Sequence, residues 1–276
     1  MKKREKIMEY VFLLAAVISI VAVALICIFL FANGIPAMKK IGFAEFLTGT
    51  KWKPGNNKFG IFPMILGSIY VTGGALIIGV PVGVLTSVFM ARFCPEGLYK
   101  LLKPVVNLLA GIPSIVYGLF GMLFFVNTCK WGFSILAGAF TLAIMVLPLI
   151  MRSTEEALKS VPDSYREGSF GLGAGKLRTV FRIVLPSAIP GILAGVILAI
   201  GRIVGETAAL IYTAGTVAKV PKNVLSSGRT LAVHMYNLSS EGLYMNQAYA
   251  TAVVLLVLVV VINTLSGMIA KRITKA

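Results

Sequence analysis

Long uncharged runs alternate along the chain with short, polar and mostly basic connections. Five runs carry no Asp, Glu, Lys or Arg: Tyr10–Ala32, Phe59–Ala91, Pro104–Cys129, Trp131–Met151 and Gly242–Ala270, of 23, 33, 26, 21 and 29 residues. About 20 apolar residues in a helix cross the roughly 30 Å hydrocarbon layer of a bilayer. A sixth run, Ile183 to Ala218, is interrupted only by Arg202 and Glu206. The runs are continuous and do not alternate, which predicts helices and not a β-barrel. The expected fold is an all-α integral membrane protein with six transmembrane helices and no large soluble domain.

Glycine and proline sort these helices. The first run has neither, which predicts a peripheral helix over about 10–32 that faces lipid. The connection after it is rich in turn residues: Gly34, Pro36, Gly49, Pro54, Gly55, Asn56 and Asn57. The second helix holds Gly79-x-x-x-Gly83, small residues that let another helix approach closely. The third is expected to open at Pro104 and to kink or break at Gly111-Ile-Pro-Ser114. The fourth is shorter, with Pro148 near one end. The fifth runs from about Pro190 to Gly215, and the sixth covers about 248–269. The concentration of Gly and Pro predicts helices 2, 3 and 5 as the inner, packed ones.

Composition agrees with the membrane reading. The chain of 276 residues is 58% hydrophobic and 13% charged, against about a quarter charged in soluble domains. The net charge of +16 comes mostly from residues flanking the runs, where anionic lipid attracts them. No nucleic-acid partner is implied. With both termini on the cytoplasmic side, 16 of the 26 basic residues fall inside and nine outside, and Arg202 lies in a span. That bias orients the chain. Met1-Lys-Lys-Arg before an apolar run superficially resembles a signal peptide. The run is too long and no small-x-small site follows, so it reads as a retained anchor. Cys27, Cys94 and Cys129 fall in a span, inside and outside respectively, so no disulfide is expected.

One polar stretch stands apart, Glu167 to Pro186, EGSFGLGAGKLRTVFRIVLP. Ser164-x-x-Glu167 has capping-box spacing and Asp163 is a second candidate cap, so a short helix is expected near Ser164. Gly171, Gly173 and Gly175 then allow a tight turn, and Leu177 to Leu185 resumes as a helix that Pro186 and Pro190 end or restart. Gly171–Lys176 is not a nucleotide loop. A phosphate-binding loop needs Gly five positions before its Gly-Lys and Ser or Thr after it; Phe170 and Leu177 stand there.

The Glu-Gly-Ser of 167–169, Gly173, and Ile183-x-Leu185-Pro186 nine residues on resemble the signature loop of ABC-importer permeases, with EGS where that loop has EAA. The stretches GIPAMKKIGFAEFLTGTKWKP, FGIFPMILGSIYVT, LLAGIPSIVYGLFG and LPSAIPGILAGVILAIGRIVGETAAL resemble the permeases of high-affinity phosphate importers, the PstC/PstA pair, the first of them leaning toward PstC. The resemblance covers almost the whole chain after helix 1. It implies the type I permease fold in the plasma (inner) membrane of a prokaryote. Its parts would be an N-terminal anchor helix at 1–33, an extracytoplasmic loop at 34–61, and a permease core at 62–276 with a cytoplasmic coupling loop at 152–188. It implies transport of inorganic phosphate together with a second permease subunit, two ATPase subunits and an extracytoplasmic phosphate-binding protein. ATP and magnesium would sit on the ATPase subunits, with no cofactor, metal or catalytic residue in this chain. The coupling residues would be Glu167, Gly168, Ser169, Gly173, Ile183, Leu185 and Pro186.

Arg202 and Glu206 are the ionisable residues inside a predicted span. Four apart, they can pair along a helix and merely fix packing. Alternatively Arg202 offers a two-pronged fork to an anionic substrate, with Glu206 holding it. The family carries the pair in the same GR-x-x-GE-T setting, which puts Arg202, Glu206 and Thr207 on the translocation path. Competing functions are a permease for sulfate, molybdate or an amino acid, a membrane-embedded enzyme, and a secondary transporter. An enzyme would need clustered acids or histidines. Glu155-Glu156 with Asp163 is the one acidic group, and Arg152, Lys159 and Arg166 lie beside it as a self-paired face. His234, near Arg229 and Tyr236, reads as a bystander. No internal repeat of the kind secondary transporters show is present.

Overall fold

The computed structural model describes residues 2–275, with side chains described over 4–272. A long helix α1 (Lys2–Ile41) leads through a short α2 (Phe43–Thr48) and a two-stranded antiparallel hairpin, β1 (Trp52–Lys53) and β2 (Lys58–Phe59), into α3 (Phe62–Arg92). Then come α4 (Glu96–Ala110) and α5 (Ser114–Gly121), the latter continued by a π-helical segment at Met122–Thr128. α6 (Ile135–Lys159), α7 (Asp163–Gly171) and α8 (Lys176–Thr179) follow. A second π-helical turn at Val180–Val184 carries α8 into α9 (Leu185–Val204). The chain finishes with α10 (Ala208–Ile211), α11 (Leu231–Glu241) and α12 (Met245–Lys275).

Five helices are long and apolar enough to cross a bilayer: α1, α3, α6, the helix formed by α8 and α9, and α12. A sixth crossing exists if α4 and α5, bent by 98° at the break between them, count as one span. Contacts at glycine fix their directions. Gly74 meets Ala139, Gly79 meets Ala143 and Gly83 meets Ile150, so α3 and α6 run parallel. Gly191 meets Ala157 and Gly195 meets Ser153, so α9 runs antiparallel to α6. Ala37 and Met38, near the end of α1, share an apolar cluster with Ala250 and Val253, near the start of α12, so α1 and α12 are antiparallel.

Two apolar clusters mark the ends of the bundle. One joins Ala37, Phe46, Met64, Leu231 and Val253; the other joins Val88, Leu158, Val161, Val180, Val184 and Ile192. The described ends of the chain, at Lys2 and Lys275, therefore lie toward the same end as α7 and α8, called the hairpin end below. Cys27, Cys94 and Cys129 are all free.

Three expectations need correction. α1 does not stop near residue 32. It continues through Gly34 and Pro36 to Ile41 because it leans on α12 there: a Cβ on Gly34 would lie 2.8 Å from the Tyr249 carbonyl oxygen and from Val253 Cγ2. The third helix does not open at Pro104. α4 starts at Glu96 and keeps Pro104 inside it. Its stripe Leu98, Leu101, Val105 and Leu108 is exposed, while its other side is tied to α6. The Tyr99 hydroxyl donates to Glu155, Lys103 Nζ lies 3.5 Å from Glu155 Oε1, and Arg152 donates from Nε and Nη2 to Asn107 Oδ1 at 3.1 and 2.7 Å.

The third correction concerns the central helix, which is α6. Of its most apolar stretch 61% is buried, against 33% for α3 and for the α8–α9 helix. α4 buries no residue. α1 and α12 are peripheral as expected, with 0% and 11% buried. α6 owes its place to small residues, Ala137, Gly138, Ala139, Thr141 and Ala143, which let α3, α5 and α10 approach together.

Gly83→Leu tests the α3–α6 seam. A Cβ there would sit 2.8 Å from Ile150 Cγ2, whereas Gly73 has nothing within 4 Å. Overpacking costs about 1–3 kcal/mol. The expected outcome is a lowered melting temperature and loss of a monodisperse detergent-solubilised species for Gly83→Leu, with Gly73→Leu close to wild type.

Candidate functional site

The two interruptions in the bundle lie against each other. The first is Gly111-Ile112-Pro113, where α4 turns into α5. Pro113 cannot donate and starts the new helix. The Tyr117 hydroxyl, one turn into α5, donates to the Leu109 carbonyl at 2.8 Å and so fastens the bend across the break. Tyr117 is buried.

The second interruption is Gly205-Glu206-Thr207. A continuous fifth helix from Pro190 to Gly215 is not formed. α9 ends at Val204 and one turn, α10, resumes at Ala208. Glu206 Oε1 accepts from the Ala209 backbone N–H at 3.1 Å, satisfying a donor that the break sets free. Thr207 is the residue before α10, and its hydroxyl donates to the Gly205 carbonyl at 3.4 Å. α10 then packs on α5, where a Cβ on Gly118 would lie 2.7 Å from Ala209 Cα. The GIPS and GRIVGET stretches thus meet through Gly118 and Ala209.

Arg202 stands one turn before this break. No ion pair or hydrogen bond joins it to Glu206 among the described residues, so the i, i+4 pair, one of the two alternatives, is absent. The helix ends between them, and the Glu206 carboxylate is taken up by α10. Arg202 is exposed and has no hydrogen-bond or ion-pair partner among the described residues. Its depth follows from its neighbours. Gly195 rests on Ser153, while Leu210 and Ala214 rest on Gly138. Arg202 therefore lies beside the middle of α6, at mid-span. Leu198 and Arg202 are exposed, whereas Gly195 is buried against α6.

The polar stretch 163–186 forms a hairpin at one end of the bundle. The capping box is not used. α7 begins at Asp163 with Pro162 before it and no side-chain cap, and Asp163 instead pairs with Arg166 at 2.7 Å. Ser169 is buried, and its hydroxyl lies 2.8 Å from the Thr179 hydroxyl, which locks α7 to α8. Gly173 takes φ +82° between them, a conformation that side chains resist. Gly171 and Gly175 do not need it.

Pro186 does not end a helix. It lies in the first turn of α9, right after the wide π turn that contains Ile183, and Leu185 opens α9. The wider turn relieves the clash a proline ring makes with the preceding turn. Glu167 and Gly168 are exposed, with no atom near the Gly168 Cα face. Around them Tyr165, Phe170, Leu172, Leu177 and Phe181 are exposed apolar side chains, Leu172 to 91%.

This arrangement matches known proteins. Residues 79–275 match the family described as the binding-protein-dependent transport system inner membrane component. The chain belongs to this family. It is 35% identical to the probable ABC transporter permease protein YqgI of Bacillus subtilis, over 95% of this chain and 94% of that one. It is 30% identical to the phosphate transport system permease protein PstC of Mesorhizobium japonicum, over 94% and 88%. A solved bacterial ABC transporter involved in import of the acidic polysaccharide alginate shares the fold, with a TM-score of 0.69 at 18% identity over 99% and 100%. The chain is thus a multi-pass ABC-importer permease subunit of the inner membrane.

Away from the hairpin, this permease holds a cluster that sequence reasoning passed over. His234 on α11 is fully buried, not a loop bystander. Its ring stands edge-on to Trp52 at 4.2 Å. Arg229 donates from Nη1 to His234 Nδ1 at 3.1 Å and from Nε to the Thr216 carbonyl at 2.7 Å. Nδ1 is therefore the acceptor and Nε2 carries the proton. Burial, and then the Arg229 charge, lower the imidazole pKa to about 3. Burial also lowers that of Arg229, partly offset by Glu241. The cluster ties the β1–β2 hairpin to the loop after α10. Burial of His234 was not legible, because the alternation of α11 is weak and Trp52 is far away in sequence.

The neutral histidine gives a pH dependence with a definite sign. Its folded pKa lies below the ordinary value of about 6.5. Its contribution is fully present above pH 6.5 and is lost as pH falls from there toward 3, by about 1.4 kcal/mol per unit. The melting temperature of the wild type is expected to fall over that window. His234→Asn keeps an acceptor for Arg229 and does not titrate, so its melting temperature should change less with acidification.

Proposed function

We propose that this permease moves inorganic phosphate, with Arg202 as the residue that receives the anion. The observation that carries this reading is a cation at mid-span, beside a broken helix, with no partner for its charge among the described residues. A charged residue at that depth costs about 2.5–3.5 kcal/mol on insertion scales and normally faces a wet cavity or the bundle interior. Broken helices at mid-membrane are where transporters build substrate sites. Arg202 supplies a two-pronged donor for an oxyanion. Glu206 and Thr207 hold the break open and shape the site. The 30% identity to PstC over most of both chains supports phosphate among the oxyanions.

On this reading the hairpin end is cytoplasmic and both chain termini lie there. The exposed apolar residues around Gly168 and Leu172 seat in an ATPase subunit, which carries the ATP and magnesium. A second permease covers the exposed face bearing Arg202, and a binding protein delivers phosphate at the opposite end.

Arg202→Gln removes the charge-assisted contacts, worth about 1.5–3 kcal/mol, so phosphate uptake should fall roughly 10- to 100-fold while the complex still assembles. Unlabelled sulfate, molybdate or amino acid should leave wild-type phosphate uptake unchanged. Strong competition by any of them would move the assignment to that solute. Uptake by Arg202→Gln at the wild-type rate would remove Arg202 from the path.

The hairpin carries its own test. Gly173→Asp forces a side chain into a positive-φ position without creating a clash, since nothing lies within 4 Å. It should leave the permease in the membrane but weaken ATPase co-purification and uptake together. Normal levels of both would exclude this segment as the coupling contact.

A further inference from the structure

Between the end of α3 and the α7–α8 hairpin lies a cavity of about 230 Å³, away from the transport path and bordering the proposed coupling contact at Phe170. Its lining includes Arg92, Arg166, Lys176 and Thr179, with Phe170 and Val180 as apolar walls. Each cation spends part of its capacity on the protein. Arg92 Nη2 donates to the Leu158 carbonyl near the end of α6. Arg166 pairs with Asp163 at 2.7 Å, and the Lys176 ammonium lies 5.2 Å from the Phe93 ring centroid. Three positive charges thus converge with one carboxylate among them. Arg92 Nε is buried and has no hydrogen-bond partner among the described residues. An orphaned guanidinium donor beside two further cations is a costly arrangement, and a bound oxyanion would relieve it.

We propose that this cavity binds a phosphoryl oxyanion and that the bound group clamps α3 to the hairpin. The surface next to it indicates which source fits best. Val82, Leu85, Phe89 and Arg92 fall three and four residues apart, on one face of α3. Val82, Leu85 and Phe89 on that face are exposed and apolar. An acyl chain lying along this stripe brings its headgroup to Arg92, so the surface fits an anionic phospholipid. Free phosphate carries the same chemistry without using the stripe. The clamp would act on transport through the coupling contact proposed above; the binding itself does not depend on that reading.

The test uses the assembled transporter in phosphatidylcholine nanodiscs, wild type against Arg166→Gln/Lys176→Gln. Arg92 is left in place because its bond to Leu158 also holds α6. In the first arm phosphatidylglycerol replaces part of the lipid. In the second arm inorganic phosphate is titrated into phosphatidylcholine discs. Both arms read the melting temperature, and native mass spectrometry counts retained phosphatidylglycerol. The wild type should be stabilised, and the double variant should need about tenfold more of the ligand for the same shift. A difference in the first arm assigns a lipid headgroup, and one in the second assigns free phosphate. Equal responses of wild type and variant in both arms would overturn the site. Lys39→Gln/Lys40→Gln, far from the cavity, loses the same charge and should respond as wild type. These readouts need no uptake, so a failed phosphate-transport reading would leave them interpretable.

Discussion

Inside a bilayer no water is available for a free backbone N–H or C=O, and each one left unpaired costs several kcal/mol. This constraint governs both irregular segments of the permease. At the bend after α4, the Leu109 carbonyl accepts from the Ile112 N–H and from the Tyr117 hydroxyl. At the break after α9, the Ala209 N–H is taken up by Glu206. The side chains lie eight and three residues from the groups they bond, so each break is held locally. The breaks are also brought together, because α5 and α10 meet through Gly118 and Ala209. A bundle of unbroken helices would satisfy its backbone more cheaply, but it would offer no place for a polar site at mid-depth.

Close approach is the second condition, and it follows from the lack of a hydrophobic drive between helices in lipid. Association then depends on packing, so small residues decide which helices are central. α6 has them on several sides at once. It therefore takes α3, α5, α9 and α10 around it, while α1 touches α12 and otherwise meets no neighbour along most of its length. The π-helical turn before Pro186 belongs to the same logic. It absorbs a proline without a kink, and α8 and α9 remain one helix from the hairpin to Arg202.

Much of this was legible in the residues. The five uncharged runs and the interrupted sixth correspond to the five long helices and the bent α4–α5 pair, and GIPS announces the bend. The peripheral place of α1 follows from its lack of Gly and Pro in the first run. What could not be read was which helix is central, because α6 uses Ala and Thr where α3 uses Gly, and only glycine and proline were counted. The extension of α1 to Ile41 was hidden because Gly34 and Pro36 look like turn residues until α12 supplies a surface for them. Four-residue spacing suggested an Arg202–Glu206 pair, yet that spacing has meaning only on an unbroken helix. Gly201 and Gly205 were the signal that the helix could end there. Tyr117 and His234 carried no local sign, since their partners are set by chain folding, eight residues and 182 residues away for Leu109 and Trp52 respectively.

The loss of that pair changes what Arg202 means. Had Glu206 neutralised it, a mid-span cation would be explained by packing alone. With Glu206 committed to α10, the charge has no counterpart among the described residues, and the exposed face of α9 around Leu198 and Arg202 is not an ordinary lipid face. It has to look onto water or onto another subunit. On the proposed reading, the carboxylate stays close in the chain, and an anion at Arg202 would meet a negative group that limits how tightly it is held. A carrier needs this balance, since a site that binds its anion too strongly does not release it. The break thus separates two charges that would otherwise cancel: Glu206 is taken up in holding the backbone, and Arg202 is left for the role proposed above.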